Sequence, residues 1–498
     1  MAGFPVSHMR MLMVGIMMTS GTGPAAANNG IAVPDVPIIV GRQMDADQLF
    51  GQGSELACMV KSALANNFGN ELWCLPVAEP PGGVAGTGTI TVSTPPTEAG
   101  TIALYIAGIA VHVNIGATST VTDVAAAIAD AINDPLVQGK EMPVTATASA
   151  AVVTLKCKWH GKNGDMISMS DSYYGKLGGE ELPPGLKLTY SVGAALAGGV
   201  GVPDFTNAIA NMGETEFEFV ALPYTDSTSL LAWETEYSFG DTGRWGWMRQ
   251  HFGHIFSAKK DTYSNLVTWG LSRNGRILSV MGIEPQSPSP EFNWCACYAA
   301  KAARALINDP ARPLQTLHLE GILPAPFHQL FNLPELNTLA YSGIATQRTI
   351  VPSDGPMISR ESTTYQVNEY GFGDDAFELV TTLATLAKLI RNQRYAITTK
   401  FPRHKLADDD TKFGPGQAIV TPKIIKAELV AEYAIDEWNG LVENMSAFKD
   451  HLIVERDPND PNRVNVLYPP DLINQLRMFA VLAQFRLQYN RGIDTAIL

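Results

Sequence analysis

Strand and helix patterns alternate through most of this chain, and that alternation is what most constrains its fold. Met11–Met18 is an apolar run typical of a buried strand, the apolar residues of 55–66 recur at helical spacing, and 71–77 is strand-like again. The same rhythm returns after Gly201 and continues to a helix predicted at 378–393. Such alternation indicates an α/β layer, in which helices cover the faces of a sheet.

A segment of different composition interrupts this alternation. Pro80-Pro-Gly-Gly83 opens a stretch rich in Thr, Gly and Ala that lasts to Gly201. Strand patterns separated by turn residues predict a mainly β unit here, with strands at Thr87–Ser93, Thr101–Ile106, Ala110–Ile115, Val152–Cys157 and Leu186–Ser191. One helix, Val124–Ile132, is predicted after Thr122 or Asp123 as N-cap. We therefore expect a discontinuous α/β core domain, 1–80 plus 200–398, with an inserted mainly β outer domain at 81–199.

The end of the chain predicts a further unit. Residues 399–470 are expected to form a C-terminal α+β inner domain, with a strand or helix pair at Thr421–Trp438. Leu452–Glu455 and Arg463–Leu467 flank a proline-rich loop and predict a β-hairpin. The predicted fold class is α/β (mixed α+β), ending in an extended arm strand.

Residues 471–498 form the predicted arm, which we call the C-terminal arm. Its start, 471–476, follows two prolines and is predicted as a short helical turn. The alternation that follows is typical of a half-buried strand, and a helix is the alternative interpretation. The alternating residues are Phe479, Val481, Ala483, Phe485, Leu487 and Tyr489. A strand at a chain end either closes its own sheet or offers unpaired backbone to another chain.

The charge balance restricts the partners. The chain has 35 Lys and Arg against 49 Asp and Glu, a net charge of -14, which argues against generic binding to nucleic acid or anionic membranes. Charged residues make up 17% of the chain, below the roughly 25% usual for soluble domains. A low charge density fits a protein that hides much of its surface in an assembly.

The cysteines and the apolar N-terminal run bear on the compartment of the protein. The five cysteines are odd in number and scattered, so we expect reduced, mostly buried thiols in a cytosolic context rather than a disulfide framework. Met11–Met18, preceded by Arg10 and followed by Pro24-Ala-Ala-Ala27, fits either a signal peptide or a buried first strand. No apolar run approaches the length of a membrane span.

Motifs that could carry chemistry are weak, and we predict no catalytic, cofactor-binding or metal-binding residue. Asp241-Thr-Gly243 lacks the second copy that an aspartic protease needs, so a capping turn is expected. His251 and His254 could share a helical face, but zinc would need further ligands. Gly371–Ala376 matches a loose dinucleotide pattern, yet its two acids would repel a pyrophosphate, so a turn capping the next helix is expected.

One basic run stands out in this acidic chain. Its members are Lys388, Arg391, Arg394, Lys400, Arg403, His404 and Lys405. The ordinary interpretation is a solvated helix end and loop. The sharper hypothesis is a docking surface for an acidic partner, which sets register and encounter rate more than affinity.

Several blocks of the sequence resemble the contractile tail sheath proteins of Mu-like bacteriophages. They are ordered along the chain: 244–254 (Arg-Trp-Gly-Trp-Met-Arg-Gln-His-Phe-Gly-His), 309–317, 341–346, 361–365, 400–408 (Lys-Phe-Pro-Arg-His-Lys-Leu-Ala-Asp) with 413–418, and 452–458 through 472–476. The resemblance implies a non-enzymatic structural subunit of the virion, assembled in the host cytoplasm. Such subunits stack as hexameric rings around a tail tube and contract to drive the tube through the host envelope.

The resemblance also implies partners and roles. Its partners would be further copies of itself, the tail tube protein, and baseplate and tail terminator proteins, with no cofactor, direct nucleic-acid contact or membrane. Arms of family members add strands to neighbouring subunits, which points to 479–489 as the donated strand. Lys388, Arg391, Arg394, Lys400, Arg403 and Lys405 become a possible tube-facing surface. Met11–Met18 aligns with the family's first core strand, so a signal peptide is no longer expected.

One departure from the family pattern and two competing functions remain open. Sheath proteins usually carry a longer N-terminal arm, whereas only Met1–His8 precede the first strand pattern here. The competing functions are a hydrolase, because the family's α/β part is often called subtilisin-like, and a non-contractile virion subunit. No Asp/His/Ser set supports hydrolysis in the sequence.

Overall fold

The computed structural model describes residues 9–19, 29–67, 69, 71–134, 142–350 and 355–485. Its strands are β1 Met11–Ile16, β2 Ile38–Ile39, β3 Leu72–Val77, β4 Thr87–Thr94, β5 Gly100–Ile106, β6 Ile109–Ile115, β7 Val144–Ser149, β8 Val152–Cys157, β9 Met169–Asp171, β10 Lys187–Tyr190, β11 Phe219–Ala221, β12 His254–Lys260, β13 Leu278–Ile283, β14 Ala345–Arg348, β15 Met357–Arg360, β16 Lys405–Leu406, β17 Ile419–Val420, β18 Val442–Glu443, β19 Ile453–Arg456, β20 Val464–Leu467 and β21 Asp471–Leu472. Its helices are α1 Gln43–Phe50, α2 Glu55–Asn66, α3 Val121–Asn133, α4 Thr206–Asn211, α5 Ser227–Glu236, α6 Tyr263–Leu271, α7 Glu291–Asn308, α8 Leu333–Tyr341, α9 Val380–Lys400, α10 Pro422–Trp438 and α11 Met445–His451. The predicted mixed α/β class is confirmed.

An eight-stranded sheet forms the centre of the molecule, in the order β15-β14-β13-β12-β11-β1-β3-β2. β1 runs parallel to both of its neighbours, with Met11 opposite Leu72 on one side and Phe219 on the other. All six residues of β1 are buried, as expected of a strand covered on both faces, so the buried-strand prediction for Met11–Met18 is confirmed. Ile38 pairs with β3 and not with β1, so β2 is an antiparallel edge.

Several helices begin at polar N-cap residues. The Ser54 hydroxyl accepts from the Ala57 N–H at the start of α2. α3 starts three residues earlier than predicted, because Thr120 and Asp123 form a reciprocal capping box. Thr122 and Asp123, the predicted N-caps, therefore lie within the helix. α10 is one helix rather than a pair.

The strands between 87 and 190 form separate sheets, as predicted. β10-β4-β8-β7 make four antiparallel strands and β6-β5-β9 make three, with β7 and β9 missed by the sequence analysis. The chain enters and leaves side by side, since Val84 pairs with Val200. Gly201 has φ +102 at this junction, and a Cβ there would lie 2.6 Å from Cγ of Pro80, so only glycine fits.

The inserted sheets share a core with the central layer. Trp159 packs edge-on against Phe292 of α7, with ring centroids 5.9 Å apart and both side chains fully buried. The hydroxyl of Tyr173 donates to the carbonyl of Pro324 at 2.8 Å, and the Ser168 hydroxyl donates to the carbonyl of Pro288 at 2.8 Å. The insertion is therefore fixed to the α/β layer by apolar burial and by hydrogen bonds.

A second, smaller core forms beneath the C-terminal elements. The rings of Tyr433 and Phe448 stack at 3.8 Å, and the buried side chains of Ile425 and Leu429 join them. α9 links the two cores, because its Leu383 packs in the main core and its Leu389 in the smaller one. β19 and β20 form the predicted hairpin. The domain limits at 80, 199, 398 and 470 stay a prediction, and α9 runs across the third of them.

The described residues were predicted to contain neither a membrane span nor a disulfide framework. No helix there is both long and apolar enough to cross a membrane. All five cysteines are free, and four of them, Cys74, Cys157, Cys295 and Cys297, are buried. The prediction of mostly buried thiols without a disulfide framework is confirmed.

Candidate functional site

The carboxyl ends of the central strands are where open α/β sheets bind ligands, at the point where the strand order reverses. In this sheet that point lies between β1 and β11, because β3 extends one side of β1 and β12 to β14 extend the side of β11. The carboxylate of Glu55 fills it. This carboxylate accepts hydrogen bonds from the Ile16 N–H at 2.9 Å, the Asn163 amide at 2.6 Å and the Tyr224 hydroxyl at 2.6 Å.

The Glu55 network closes this crevice with the chain's own side chains. Burial raises the pKa of Glu55, and the three donors act in the opposite direction. One donor, Asn163, comes from the inserted segment, so the insertion itself plugs the ligand crevice. Within the described ranges, no group of three or more His, Cys, Asp or Glu side chains could hold a metal ion. We infer a structural role for this point of the sheet.

The weak sequence motifs fall in turns. Asp241 lies in the turn after α5 and accepts from the indole N–H of Trp247 at 3.0 Å. Asp374, in the 371–376 segment, accepts from the Tyr365 hydroxyl at 2.5 Å, which lowers the pKa of its carboxyl. The helix that follows has Leu379 as N-cap and no side-chain cap, so the expected capping role of this segment is wrong.

His251 and His254 do not share a helical face. His254 begins β12, a strand that the sequence analysis missed, while His251 lies in the preceding loop with Nε2 2.8 Å from Glu214. The His254 ring is buried, neither of its nitrogens has a hydrogen-bond partner, and burial lowers its pKa to about 3. It borders a small cavity of about 30 Å³ that Glu218 and Arg391 also line. The two imidazoles are therefore in different environments.

The residues of the basic run separate into paired and exposed ones. Arg391 donates to Glu216 and to Glu218, at 3.1 Å for the latter, and so ties α9 to the central layer. Lys400 pairs with Glu428 of α10, and Lys388 is half-buried. Arg394, Arg403, His404 and Lys405 are exposed, and none of them has a carboxylate partner among the described residues. The part of the predicted surface that is exposed and has no carboxylate partner among the described residues is therefore smaller than the run, since Lys400 is exposed but paired.

The start of the C-terminal arm is docked on its own subunit. Residues 471–476 are not the predicted helical turn, because Asp471 and Leu472 form β21 and pair with β18. The Gln475 amide donates to the carbonyl of Ala311 at 2.6 Å. Arg477 then makes a bidentate ion pair with Glu361, whose side chain is fully buried at the end of β15. We call residues 471–477 the arm root.

Beyond the arm root the chain is exposed. Phe479 is 83% exposed, Leu482 is 88% exposed and Phe485 is 85% exposed. None of residues 478–485 pairs with a strand of the same subunit. Leu487 and Tyr489, the last two predicted strand residues, lie outside the described residues. The described part of the predicted strand thus shows no pairing within its own sheet.

Comparison with known proteins identifies the class. Residues 198–364 match the phage tail sheath protein central domain, and residues 373–486 match the phage tail sheath C-terminal domain. The chain belongs to the phage tail sheath protein family. It is 38% identical over 484 residues to the Mu-like prophage FluMu tail sheath protein of Haemophilus influenzae, covering 97% of this chain and 94% of that protein.

Two solved structures share a looser likeness. The sheath tail protein Lin1278 of Listeria innocua aligns with a TM-score of 0.48 and 9% identity, over 93% of this chain and 92% of that one. A chain of the anti-feeding prophage baseplate aligns with a TM-score of 0.39 and 10% identity, over 59% of this chain and 77% of that one. The family assignment rests on the sequence matches alone.

Sequence reasoning missed the residues that hold the arm root. Arg477 and Glu361 lie 116 positions apart, and neither stands out by composition or spacing. Glu361 did fall in a block shared with the sheath family, which is the one available signal. Pairing at that separation depends on the tertiary fold.

We expect Arg477→Ala to lower the free energy of unfolding by about 3 kcal/mol, because it leaves the buried Glu361 carboxylate without its charged partner. Urea denaturation of the full chain measures this. Arg403→Ala, at an exposed arginine without an ion pair, is the matched control and should stay within about 0.5 kcal/mol of wild type. Equal stability of the two variants would contradict the anchoring role.

His254→Phe tests the buried imidazole. At pH 7 it should be neutral or stabilising, because an apolar ring replaces unpaired polar atoms and the adjoining cavity leaves room. Below pH about 6.5 the unfolded chain binds a proton that folded His254, with its pKa lowered to about 3, does not bind. Between pH 6.5 and 5 wild type should therefore lose about 2 kcal/mol more stability than the variant.

Urea denaturation at the two pH values checks this difference. His112→Phe, at an exposed histidine of β6, is the control and should keep the wild-type pH dependence. If His254→Phe loses as much stability as wild type on acidification, the imidazole is not buried in its neutral form.

Proposed function

We propose that this chain is a structural subunit of a contractile phage tail sheath. Copies polymerise as stacked hexameric rings around a tail tube, and their contraction drives the tube through the host envelope. The subunit acts without catalysis, in the virion, after assembly in the host cytoplasm. Family membership supports this, as does the 38% identity to a Mu-like prophage tail sheath protein.

The observation that carries the proposal is the combination of a docked arm root and an exposed apolar segment after it. Large apolar side chains at 479, 481, 482 and 485 are costly to leave in water, and contiguous exposed apolar surface marks interaction sites. An extended segment with unpaired backbone can add a strand to a sheet of another subunit. We propose that Phe479, Val481, Ala483, Phe485, Leu487 and Tyr489 face the receiving subunit.

The plugged crevice supports a role outside catalysis. Glu55 and its three partners occupy the position at which α/β enzymes of this topology hold substrates. Subtilisin-like hydrolysis needs a serine, a histidine and an acid in mutual contact. His251 has a carboxylate partner in Glu214, but no described hydrogen bond joins its ring to a serine, and His254 is buried without any hydrogen-bond partner.

The partners follow from the same proposal. Besides further copies of the chain, they are the tail tube protein and the baseplate and tail terminator proteins. The tube-facing surface is narrowed to Arg394, Arg403 and Lys405, since Arg391 and Lys400 are engaged within the subunit and Lys388 is half-buried. Domains 1–80 plus 200–398, 81–199 and 399–470 are proposed to serve as core, outer and inner parts of the sheath.

Negative-stain microscopy of the purified full chain tests the function. We expect hollow, striated tubes from wild type. Deletion of 478–498, which keeps Arg477 and the arm root, should give a folded protein that stays unpolymerised, because the deleted described residues make no pairing within the subunit. Uniform wild-type particles with peptidase activity would overturn the sheath proposal.

Acidic substitutions on one or the other face of the predicted strand test the strand assignment in the same experiment. Phe479→Glu/Val481→Glu/Phe485→Glu places charges on the face predicted to be buried, and should abolish tubes. Ala480→Glu/Gln484→Glu/Gln488→Glu adds the same number of acids on the opposite face, and should leave tubes. Equal loss in both variants would point to a helical or non-strand contact instead.

The tube-facing surface is tested by Arg394→Glu/Arg403→Glu. Like-charge contacts with an acidic tube should weaken co-sedimentation with the tube protein about tenfold at low salt, with tube-free polymerisation unchanged. Lys156→Glu/Lys187→Glu, at two exposed lysines of the inserted sheet, is the control with the same charge change. Unaltered tube binding in the Arg394→Glu/Arg403→Glu variant would refute the assignment.

A further inference from the structure

A second concentration of positive charge lies at the carboxyl end of α7. Lys301, Arg304 and Arg312 line one cavity of about 340 Å³, which we call the basic groove. The sequence analysis did not single these residues out, because eleven positions separate the first from the last. Their convergence is produced by the turn that follows the helix.

The three cations have no carboxylate at ion-pair distance among the residues that the structure describes. Asp309 is in the groove, but its Oδ1 accepts from the Ala311 N–H at 3.1 Å. Glu320 acts on Lys301 only from beyond ion-pair distance, while burial and Arg304 lower the pKa of that lysine. Arg360, Arg391 and Arg477, by contrast, all have glutamate partners within the chain.

The helix dipole explains little of this charge. Cations near the carboxyl end of a helix interact favourably with the helix dipole, but Lys301 and Arg304 lie before the last turn of α7, so the dipole contributes only weakly to them. Arg312 lies beyond the helix, so the dipole does not account for it. The dipole also gives no reason for three cations to line one open cavity in which none of them has a carboxylate at ion-pair distance.

The basic groove adjoins the arm root. Ala311, next to Arg312, is the residue whose carbonyl accepts from Gln475. The N–H of Leu314 donates to Glu361 at 3.4 Å, and Glu361 is the partner of Arg477. The loop that carries Arg312 therefore holds the place from which the arm leaves the subunit. A subunit that receives the arm must approach this corner.

Charge complementarity identifies the occupant. The chain carries a net charge of -14, so a second copy has more carboxylates than cations to offer. The arm itself is a poor occupant, since its sequence after 477 contains Arg486 and Arg491 against Asp494. Acidic side chains on the folded part of another copy fit the groove best.

We propose that the basic groove receives acidic side chains from a second copy of this chain and forms an electrostatic contact beside the arm. The contact rests on the proposed polymerisation and adds a site to it. It fixes the register of the two subunits, while the arm supplies the apolar and backbone interactions. Salt weakens the contact, because the groove is open to solvent.

Arg304→Glu/Arg312→Glu in the full chain tests this. The critical concentration for polymerisation, measured by sedimentation at low ionic strength, should rise at least about tenfold. Arg304→Lys/Arg312→Lys, which keeps the charge, and Lys156→Glu/Lys187→Glu, which makes the same charge change elsewhere, should both polymerise like wild type. Thermal unfolding checks that each variant is folded. If Arg304→Glu/Arg312→Glu does not fold, the critical concentration is measured instead with Arg304→Gln/Arg312→Gln, which removes the charge without reversing it.

Three outcomes overturn the proposal. A critical concentration equal to that of wild type means that no second copy uses the groove. Normal polymerisation combined with lost binding to the tube protein assigns the groove to another partner. An equal rise in critical concentration in the Lys156→Glu/Lys187→Glu control would mean that the effect comes only from the change in net charge. Failure of wild type to polymerise at all would instead count against the sheath function, on which both proposals stand.

Discussion

The carboxylate of Glu55 joins three parts of the chain that are far apart in sequence. It accepts from the end of β1, from the inserted segment and from the residues after β11, in a position without access to water. A buried carboxylate is tolerated only when such donors satisfy it, and each donor is equally dependent on it. The insertion, the first helical layer and the switch point of the sheet therefore meet at one side chain.

This network also determines what the fold can do. Open α/β sheets leave a crevice at the carboxyl ends of their strands, and enzymes exploit it. Here Asn163 enters from the insertion and occupies the crevice, so the same residues that hold the layers together remove the usual ligand site. The sites that we propose for function lie instead on the outer surface. The proposed sites, the arm, the exposed cations of the basic run and the basic groove, are all on that surface.

Much of the layer architecture could be predicted from local patterns. The six buried residues of β1 and the capped apolar face of α2 follow from hydrophobic periodicity, which local sequence expresses directly. β12 was missed because a histidine pair near its start suggested a helical face. Arg477, Glu361 and the basic groove were missed for a different reason. Their contacts join positions that only the completed fold brings together, and no short-range pattern records them.

The placement of Arg477 has a mechanical consequence. A pull applied to the chain beyond 477 meets the bidentate Arg477–Glu361 pair before it meets β21. Glu361 follows directly on an edge strand of the eight-stranded sheet. Tension on the arm is therefore transmitted to the eight-stranded sheet. The two-residue pairing of β21 with β18 does not have to resist that tension. The arm can bear load without unravelling the unit from which it emerges.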